Sequence, residues 1–171
     1  MAGVVFLIVG ARGTGKSTEM RKMLEKVHPK ARLVYDPSDQ FSDLFPYPLI
    51  EFKDFTPKMV NVSNALIAID EATIFLSNRG NDDDVKNVLV KARHKNNIIV
   101  FCFHSFRSIP FYIYELSDYV IILKTGDNED LIQSRFKDER LTQAFIRIKN
   151  LPWKEGKTRR YSPSETFDIY G

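Results

Sequence analysis

Short apolar runs alternate along this chain with longer stretches in which apolar residues recur at helical spacing. Apolar runs bounded by polar or turn-forming residues are typical of strands buried in a parallel sheet. They predict five strands, at 4–9, 31–35, 64–71, 98–103 and 119–123. Helices are predicted at 17–26 and 110–116, and two amphipathic helices are predicted from the apolar sets Val85, Val88, Leu89, Ala92 and Leu141, Ala144, Phe145, Ile148.

This alternation of strands and helices predicts an α/β protein with three layers and a mainly parallel central sheet, in which ligands bind at the carboxyl ends of the strands. The segment 41–56 contains prolines and several aromatic residues, so we expect it to be irregular, with one strand at 49–52. We expect a single domain with a core over 1–150. The polar, basic segment 151–171 is predicted to be its C-terminal tail, as a strand, an arm or a disordered stretch.

Composition narrows the class of protein. With 171 residues, of which 43% are hydrophobic, the chain can fill one sizeable core. The single cysteine, Cys102, excludes a disulfide framework and favours a reducing cytoplasm. No apolar stretch approaches the roughly 18 residues of a membrane span. Net charge is only +3, but five basic residues concentrate near the C-terminus, which is compatible with a polyanionic partner: Lys149, Lys154, Lys157, Arg159 and Arg160.

The segment 10–17, Gly-Ala-Arg-Gly-Thr-Gly-Lys-Ser, fits the P-loop pattern G-x-x-x-x-G-K-[ST] between a predicted strand and a predicted helix. Backbone N–H groups of 13–18 can then converge on a phosphate at the helix N-terminus. Lys16 would reach the β- and γ-phosphates, and the Ser17 hydroxyl would ligate Mg²⁺. The predicted nucleotide-binding residues are Gly10, Ala11, Arg12, Gly13, Thr14, Gly15, Lys16, Ser17 and Thr18.

The apolar run that ends in Asp70 and Glu71 has the form of a Walker B segment. In this interpretation Asp70 holds Mg²⁺ through water, and Glu71 orients or deprotonates the attacking water. A water-activating glutamate favours a hydrolase over a kinase. The alternative is that Glu71 caps the following segment, because acidic residues are common at helix starts.

His104 follows the predicted strand at 98–103. In sheets of this kind that strand usually lies between the P-loop strand and the Asp-Glu strand, so a polar side chain at its end can sense the γ-phosphate. The alternative is a purely structural histidine that is held by hydrogen bonds.

Arginines can stabilise transition-state charge, from the same chain or from a neighbouring subunit. Arg93 is the first candidate and Arg79 the second, because both flank the helix after the Asp-Glu strand; Arg107 is a third. No segment reads as a lid over the γ-phosphate, so we expect a neighbouring subunit's arginine to complete the site. The alternative for Arg93 is favourable interaction with the helix dipole. The basic stretch 91–95 can equally contact a nucleic-acid backbone.

Taken together, these motifs resemble the FtsK/HerA branch of RecA-like motor ATPases, which includes viral genome-packaging ATPases and zonular occludens toxin-like phage assembly proteins. The resemblance rests on the P-loop, on Asp36-Pro37 after the second strand, on 66–72 and on the basic stretch 91–95. In this group the fourth strand often ends in a Gln that acts as the sensor, and here His104 takes that place.

The resemblance implies a RecA-like P-loop NTPase with ATP and Mg²⁺ as cofactors, a homo-oligomeric ring, and sequence-independent DNA binding, with capsid or portal-vertex proteins as further partners. It implies an ATPase that moves DNA in viral genome packaging or mobile-element transfer, in the host cytoplasm or the virion. The lack of a membrane anchor in the sequence favours a packaging ATPase over a toxin-like assembly protein. Two alternatives stay open: a nucleoside or nucleotide kinase, and a slow nucleotide-dependent regulatory module.

Overall fold

The structure, a computed structural model, describes residues 3–44, 52–77 and 82–171. In chain order the strands within these ranges are β1 (Val4–Val9), β2 (Arg32–Tyr35), β3 (Leu66–Ile69), β4 (Ile98–Phe103), β5 (Tyr119–Ile122), β6 (Lys154–Glu155), β7 (Arg160–Tyr161) and β8 (Glu165–Asp168). The main sheet has the order β2-β3-β4-β1-β5-β8; the first five strands are parallel, and β8 is antiparallel to β5. β6 and β7 form a separate hairpin.

Helices cover both faces of this sheet. In the described part of the chain they are α1 (Lys16–Glu25), α2 (Phe52–Asn61), α3 (Ala72–Ser77), α4 (Asp82–Lys91), α5 (Phe111–Glu115), α6 (Glu129–Phe136) and α7 (Glu139–Asn150). The Asp138 carboxylate accepts hydrogen bonds from the N–H groups of Arg140 and Leu141, which caps α7. Across these ranges no helix is long and apolar enough to cross a membrane.

The sheet separates the core into two layers. Successive side chains of the central strand β4 point to opposite faces of the sheet, so β4 contributes to both layers. Phe101 and Phe103 join the larger hydrophobic cluster, to which α2, α4 and α7 also contribute. Cys102 joins the smaller cluster, together with Met20 and Leu24 of α1. Apolar contacts on both faces explain why the parallel strands have nearly continuous apolar sequences. The predicted three-layer α/β fold with a mainly parallel sheet is confirmed.

The prediction of irregular structure over 41–56 is wrong at its C-terminal end, because α2 begins at Phe52. Apart from Phe52, the predicted strand at 49–52 lies outside the described residues. Pro57 lies inside α2, where a proline is disfavoured. Burial of Phe55 and Met59, which are one helical turn apart, packs α2 against the core and outweighs this local preference.

The tail at 151–171 folds against the core. Of the three alternatives for this segment, strands are what form: the β6–β7 hairpin and then β8, which extends the main sheet beyond β5. Phe167 of β8 is buried in the larger cluster. Between the hairpin and β8, the N–H of Ser162 donates a hydrogen bond to the carbonyl of Thr14 (3.2 Å). The tail therefore passes directly beside the P-loop.

Candidate nucleotide-binding site

The P-loop connects β1 to α1 at the carboxyl edge of the sheet. The N–H of Gly10 donates to the carbonyl of Phe103 (3.1 Å), which ties the start of the loop to the end of β4. Gly13 and Gly15 have φ angles of 79° and 109°, in the left-handed region that favours glycine. These turns lead into α1, which begins at Lys16. Strand, loop and helix follow one another as predicted.

A cavity of about 680 Å³ opens at the N-terminus of α1, within the range of small-molecule sites. The P-loop, the loop after β2, the residues after β3 and β4, and the β6–β7 hairpin line it. The lining residues are Arg12, Gly13, Gly15, Lys16, Ser17, Thr18, Pro37, Ser38, Gln40, Asp70, Glu71, Ile74, His104 and Arg159. Most of the predicted nucleotide-binding residues thus share one space with the Asp-Glu pair and His104, whereas Gly10, Ala11 and Thr14 do not line it.

Lys16 is only 8% exposed. Its Nζ donates hydrogen bonds to the carbonyls of Gly10 (2.7 Å) and Ala11 (3.1 Å) within the loop. A third contact, of 3.0 Å, joins Nζ to Nδ1 of His104. Burial lowers the pKa of Lys16, and the nearby carboxylates of Glu71 and Asp70 oppose that shift. The amine is therefore held between the P-loop backbone and the end of β4.

His104 links Lys16 to Glu71. Its Nε2 lies 2.6 Å from Oε2 of Glu71, while its Nδ1 faces the Lys16 amine. A protonated lysine has only donors, so Nδ1 accepts and Nε2–H donates to the carboxylate, as a neutral imidazole allows. Three predicted site residues thus form one continuous hydrogen-bonded row.

Glu71 sits at the junction between β3 and α3. Its φ angle of 54° is unusual for a residue other than glycine. Its main-chain carbonyl accepts the N–H groups of Ile74 (2.9 Å) and Phe75 (3.1 Å) in the first turn of α3. The backbone of Glu71 therefore contributes to the start of α3, while its carboxylate accepts a hydrogen bond from His104.

Asp70 is 2% exposed, and its Oδ2 has no hydrogen-bond partner among the described residues. Burial, with the negative charges of Glu71 and Asp36, raises the pKa of Asp70 to about 6. An orphaned carboxylate oxygen suits a hard cation, and Ser17 lines the same cavity with a hydroxyl. These two residues fit Mg²⁺, which binds few protein ligands and takes its other oxygens from phosphate and water. In the ranges described there is no group of three or more His, Cys, Asp or Glu residues that could hold a metal alone.

Of the predicted arginines, the two that the structure describes, Arg93 and Arg107, do not line this cavity. Nη2 of Arg93 lies 2.7 Å from Oδ1 of Asp118, whose Oδ2 accepts the N–H of Val5 at the start of β1. Arg93 is therefore at the amino edge of the sheet, opposite its own P-loop. Arg107 is exposed in the turn after β4 and does not line the cavity. Arg79 lies outside the described residues.

Among the arginines in the described ranges, Arg12 of the P-loop and Arg159 of the tail line the cavity. In the sequence Arg159 was one of several basic residues near the C-terminus, and no local pattern distinguished it from Arg160. Its position depends on how the tail crosses the P-loop, which periodicity does not encode.

The strand order β2-β3-β4-β1-β5, the P-loop after β1 and the acidic pair after β3 together define the fold of a P-loop ATPase. β4 lies between β1 and β3, so the end of the fourth strand has the expected position beside the P-loop.

Comparison with solved structures agrees with this class. The chain is similar to B204, the DNA-packaging ATPase from Sulfolobus turreted icosahedral virus, with a TM-score of 0.72 and 14% identity over 99% of this chain and 95% of that chain. The genome-packaging NTPase B204 from Sulfolobus turreted icosahedral virus 2, in complex with AMPPCP, gives a TM-score of 0.72 and 17% identity over 98% and 93% of the two chains.

The N-terminal domain of zonular occludens toxin from Neisseria meningitidis gives a TM-score of 0.50 and 13% identity over 74% of this chain and 79% of that domain. At such identities the likenesses show a shared fold. They confirm, at that level, the resemblance to packaging and toxin-like P-loop ATPases. No protein-family model matches the sequence, and the search of curated proteins found no match.

Proposed function

We propose that this chain is a Mg²⁺-dependent ATP hydrolase that couples hydrolysis to DNA movement in viral genome packaging. The observation that carries the proposal is the row Lys16–His104–Glu71, which lies beside the buried Asp70 at the P-loop. Lys16, Asp70 and Glu71 line one cavity, and they are suited to bind phosphate, to bind a metal ion and to activate water, respectively.

Each of these groups has a distinct task. Backbone N–H groups at the start of α1 would bind the β-phosphate, and Lys16 would bind the β- and γ-phosphates. Ser17 and Asp70 would hold Mg²⁺, which when bound neutralises charge on the phosphate oxygens. His104 holds one oxygen of the Glu71 carboxylate, and the other oxygen is then able to orient a water for attack.

An adenine nucleotide is the proposed substrate. Support comes from the structurally similar NTPase B204 of Sulfolobus turreted icosahedral virus 2, whose structures include complexes with AMPPCP and with ATP-γS. The P-loop geometry itself recognises phosphates and does not select a base. The proposal of ATP as the substrate is therefore based on the structural likeness, whereas the proposed phosphate contacts are based on this chain's own residues.

DNA is the proposed polymer that the ATPase moves, with contacts to the phosphate backbone and no base readout. Lys91 of α4 and Lys154 and Lys157 of the tail are exposed and are the candidates for these contacts. Lys95 is a weaker candidate, because its Nζ donates to the carbonyl of Val60 (2.6 Å). Mobile-element DNA transfer would use the same activity in another setting.

A homo-oligomeric ring, with capsid or portal-vertex proteins as further contacts, completes the proposal. A groove at the amino edge of the sheet is lined by three exposed apolar side chains, Val90, Leu116 and Tyr170. Adjacent exposed apolar groups of this kind suit a subunit contact. The same groove includes Arg93.

The experiment that tests the proposed function follows phosphate release and nucleotide products with and without Mg²⁺ and DNA. We expect ADP and inorganic phosphate as the only products, a requirement for Mg²⁺, and stimulation by DNA of unrelated sequences. Lys16→Ala is the matched variant and should be inactive. Transfer of phosphate to a nucleoside would identify a kinase, and slow hydrolysis that DNA does not change would identify a regulatory module.

A further inference from the structure

Ser162 fixes the C-terminal tail to the P-loop. Its N–H donates to the carbonyl of Thr14 (3.2 Å), and its Oγ accepts the N–H of Lys124 (2.8 Å) just after β5. The carbonyl of Lys124 in turn accepts the N–H of Ala11 in the loop (2.9 Å). Ser162 is buried, so these bonds are sheltered from water. The preceding hairpin is thereby held at a defined place beside the nucleotide cavity.

The β6–β7 hairpin has its own fixed geometry. Its strands pair Glu155 with Arg160, and the N–H of Gly156 donates to the carbonyl of Arg159 (3.0 Å) across the turn. A Cβ on Gly156 would lie 2.0 Å from the Tyr161 ring, so the turn packs too closely for any larger residue. This close packing constrains the turn, in which Arg159 is the last residue before Arg160 begins β7.

Arg159 and Arg160 have different surroundings. Nε of Arg160 lies 3.0 Å from Oε1 of Glu155, and Arg160 does not line the cavity. Arg159 does line it, and its guanidinium lies 5.5 Å from the centre of the Tyr161 ring. No carboxylate among the described residues pairs with Arg159. Its guanidinium is therefore without an ion-pair partner at a cavity that the P-loop also lines.

We propose that Arg159 binds the phosphate chain of the nucleotide held by its own subunit, with the β6–β7 hairpin acting as a clamp over the P-loop. This inference rests on the proposed function, because it requires a nucleoside polyphosphate in the cavity. A guanidinium can donate two parallel hydrogen bonds to phosphate oxygens, which gives it both affinity and orientation. Thr14, the tail's point of attachment, belongs to the loop that binds those phosphates.

The clamp alters the expected architecture of the site. No segment of the sequence reads as a lid, which predicts that a neighbouring subunit completes the site. Arg159 supplies a positive charge to the cavity from the same chain. Arg159 would then make a phosphate contact within its own subunit, and an arginine of a neighbouring subunit would make the transition-state contact. Because different residues make these two contacts, the contacts can be tested separately.

The test compares the affinities of the wild type, Arg159→Ala, Arg159→Lys and Arg160→Ala for ATP, ADP and adenosine by isothermal titration calorimetry. Arg159→Ala should weaken ATP and ADP binding about tenfold to a hundredfold, the loss expected for hydrogen bonds to charged groups. Arg159→Lys should bind with intermediate affinity, because it keeps the charge and loses the paired donors. Arg160→Ala should bind like the wild type, and thermal melts should be alike for all four because both arginines are exposed.

Each contrary outcome has its own meaning. If Arg159→Ala and Arg160→Ala bind ATP equally well, the clamp is refuted even though the proposed function stands. If Arg159→Ala loses adenosine affinity as strongly as ATP affinity, Arg159 contacts the nucleoside, and the phosphate assignment is wrong. If the wild type binds no better than Lys16→Ala, the cavity is not a nucleotide site, and both the proposed function and the clamp fail.

Discussion

Nε2 of His104 lies 2.6 Å from Oε2 of Glu71, and this bond connects the proposed water-activating group to the end of the neighbouring strand. His104 also accepts from Lys16 through Nδ1. A neutral imidazole offers one donor and one acceptor, and a glutamine amide offers both kinds of group as well. A glutamine at position 104 would therefore offer the same two kinds of hydrogen-bonding group as the histidine.

His104→Gln should therefore retain most of the ATPase rate, whereas His104→Ala should lower kcat about tenfold to a hundredfold, as expected for loss of a charge-assisted hydrogen bond. ATP affinity should change little in His104→Gln, since the P-loop backbone is untouched. Steady-state kinetics and nucleotide titration measure the two effects. An alanine variant with the wild-type kcat would show that His104 does not position Glu71.

Glu71→Gln and Lys16→Ala should fail in different ways. Glu71→Gln removes the water-activating carboxylate and leaves the P-loop intact, so it should bind ATP while losing about 10²–10⁴ in rate. Lys16→Ala should lose nucleotide binding and turnover together. Glu25→Gln at the exposed end of α1 is a matched control and should keep normal activity. Near wild-type hydrolysis by Glu71→Gln would disprove the assignment of that residue.

The arrangement of the site was predictable where it depends on local sequence and on the parallel sheet. A P-loop after β1, an acidic pair after β3 and His104 after β4 all lie at carboxyl ends of parallel strands, which meet at one edge. The hydrogen-bonded row through His104 follows from that adjacency. Its exact partners depend on side-chain packing, which the spacing of the residues does not give.

Other features were beyond the reach of local patterns. Only two residues of the short helix α6, Ile132 and Phe136, are buried, and so its periodicity is too weak to predict it. α2 contains Pro57, yet tertiary packing overrides the local preference. Arg159 reaches the cavity through the Ser162 attachment, a contact between segments far apart in the chain. Long-range contacts of this kind are invisible to spacing and composition.

We expect the charged Asp70 carboxylate to lower the free energy of unfolding of the nucleotide-free protein. Burial raises the pKa of Asp70 to about 6, above the ordinary value of about 4. The protonated Asp70 carboxyl therefore makes its full contribution to the free energy of unfolding below about pH 4. This contribution is lost as the pH rises through about 6, because the buried carboxyl then becomes charged. At pH 7 we expect Asp70→Asn to raise the free energy of unfolding, by up to about 3 kcal/mol, and to abolish Mg²⁺-dependent hydrolysis. Urea unfolding at pH 7 and pH 4 should show the gain shrinking at the lower pH.

Asp36→Asn is the contrasting control for this measurement. Asp36 is fully buried, but its two carboxylate oxygens accept the N–H groups of Gln40 (3.0 Å) and Phe41 (2.8 Å). In Asp36→Asn the side-chain NH₂ group would face one of these backbone N–H groups, and two donors cannot form a hydrogen bond. The free energy of unfolding should therefore fall by about 1–3 kcal/mol. If Asp70→Asn is as destabilising as Asp36→Asn, the Asp70 charge is compensated in the folded protein, and this explanation is wrong.

DNA binding should weaken with salt and show no preference for sequence. Each lost contact to a duplex phosphate should reduce the slope of log K against log salt by about 0.9. We expect this for Lys91→Ala and for Lys157→Ala, but not for Lys22→Ala, whose lysine pairs with Glu19 on α1. Fluorescence anisotropy from low to high salt measures the slopes. Point variants are needed because deletion of the tail from Lys154 onward would also remove β8 from the sheet. If both variants keep the wild-type slope, Lys91 and Lys157 do not contact the DNA phosphates.

Arg93 can act on a γ-phosphate only in a neighbouring subunit, because it lies at the amino edge of its own sheet. Its side chain is 68% exposed and is bound to Asp118 at 2.7 Å. We predict that specific ATPase activity rises with protein concentration and that Arg93→Ala binds ATP without turning it over. Asp118→Asn is the matched control: it weakens the ion pair but keeps the arginine, so it should stay active. If Asp118→Asn is as inactive as Arg93→Ala, the ion pair itself is what activity requires.

A mixture of two inactive variants, Lys16→Ala and Arg93→Ala, decides whether the arginine acts across a subunit interface. In a mixed assembly some interfaces join an intact P-loop to an intact Arg93, so part of the activity should return although neither parent hydrolyses ATP. The recovery will be small if several subunits must act in turn. Analytical ultracentrifugation with one variant labelled shows whether the two co-assemble. Because the clamp residue Arg159 is intact in both variants, any recovery must come from Arg93 across an interface. If the variants co-assemble and no activity returns, Arg93 does not supply the charge that completes the site.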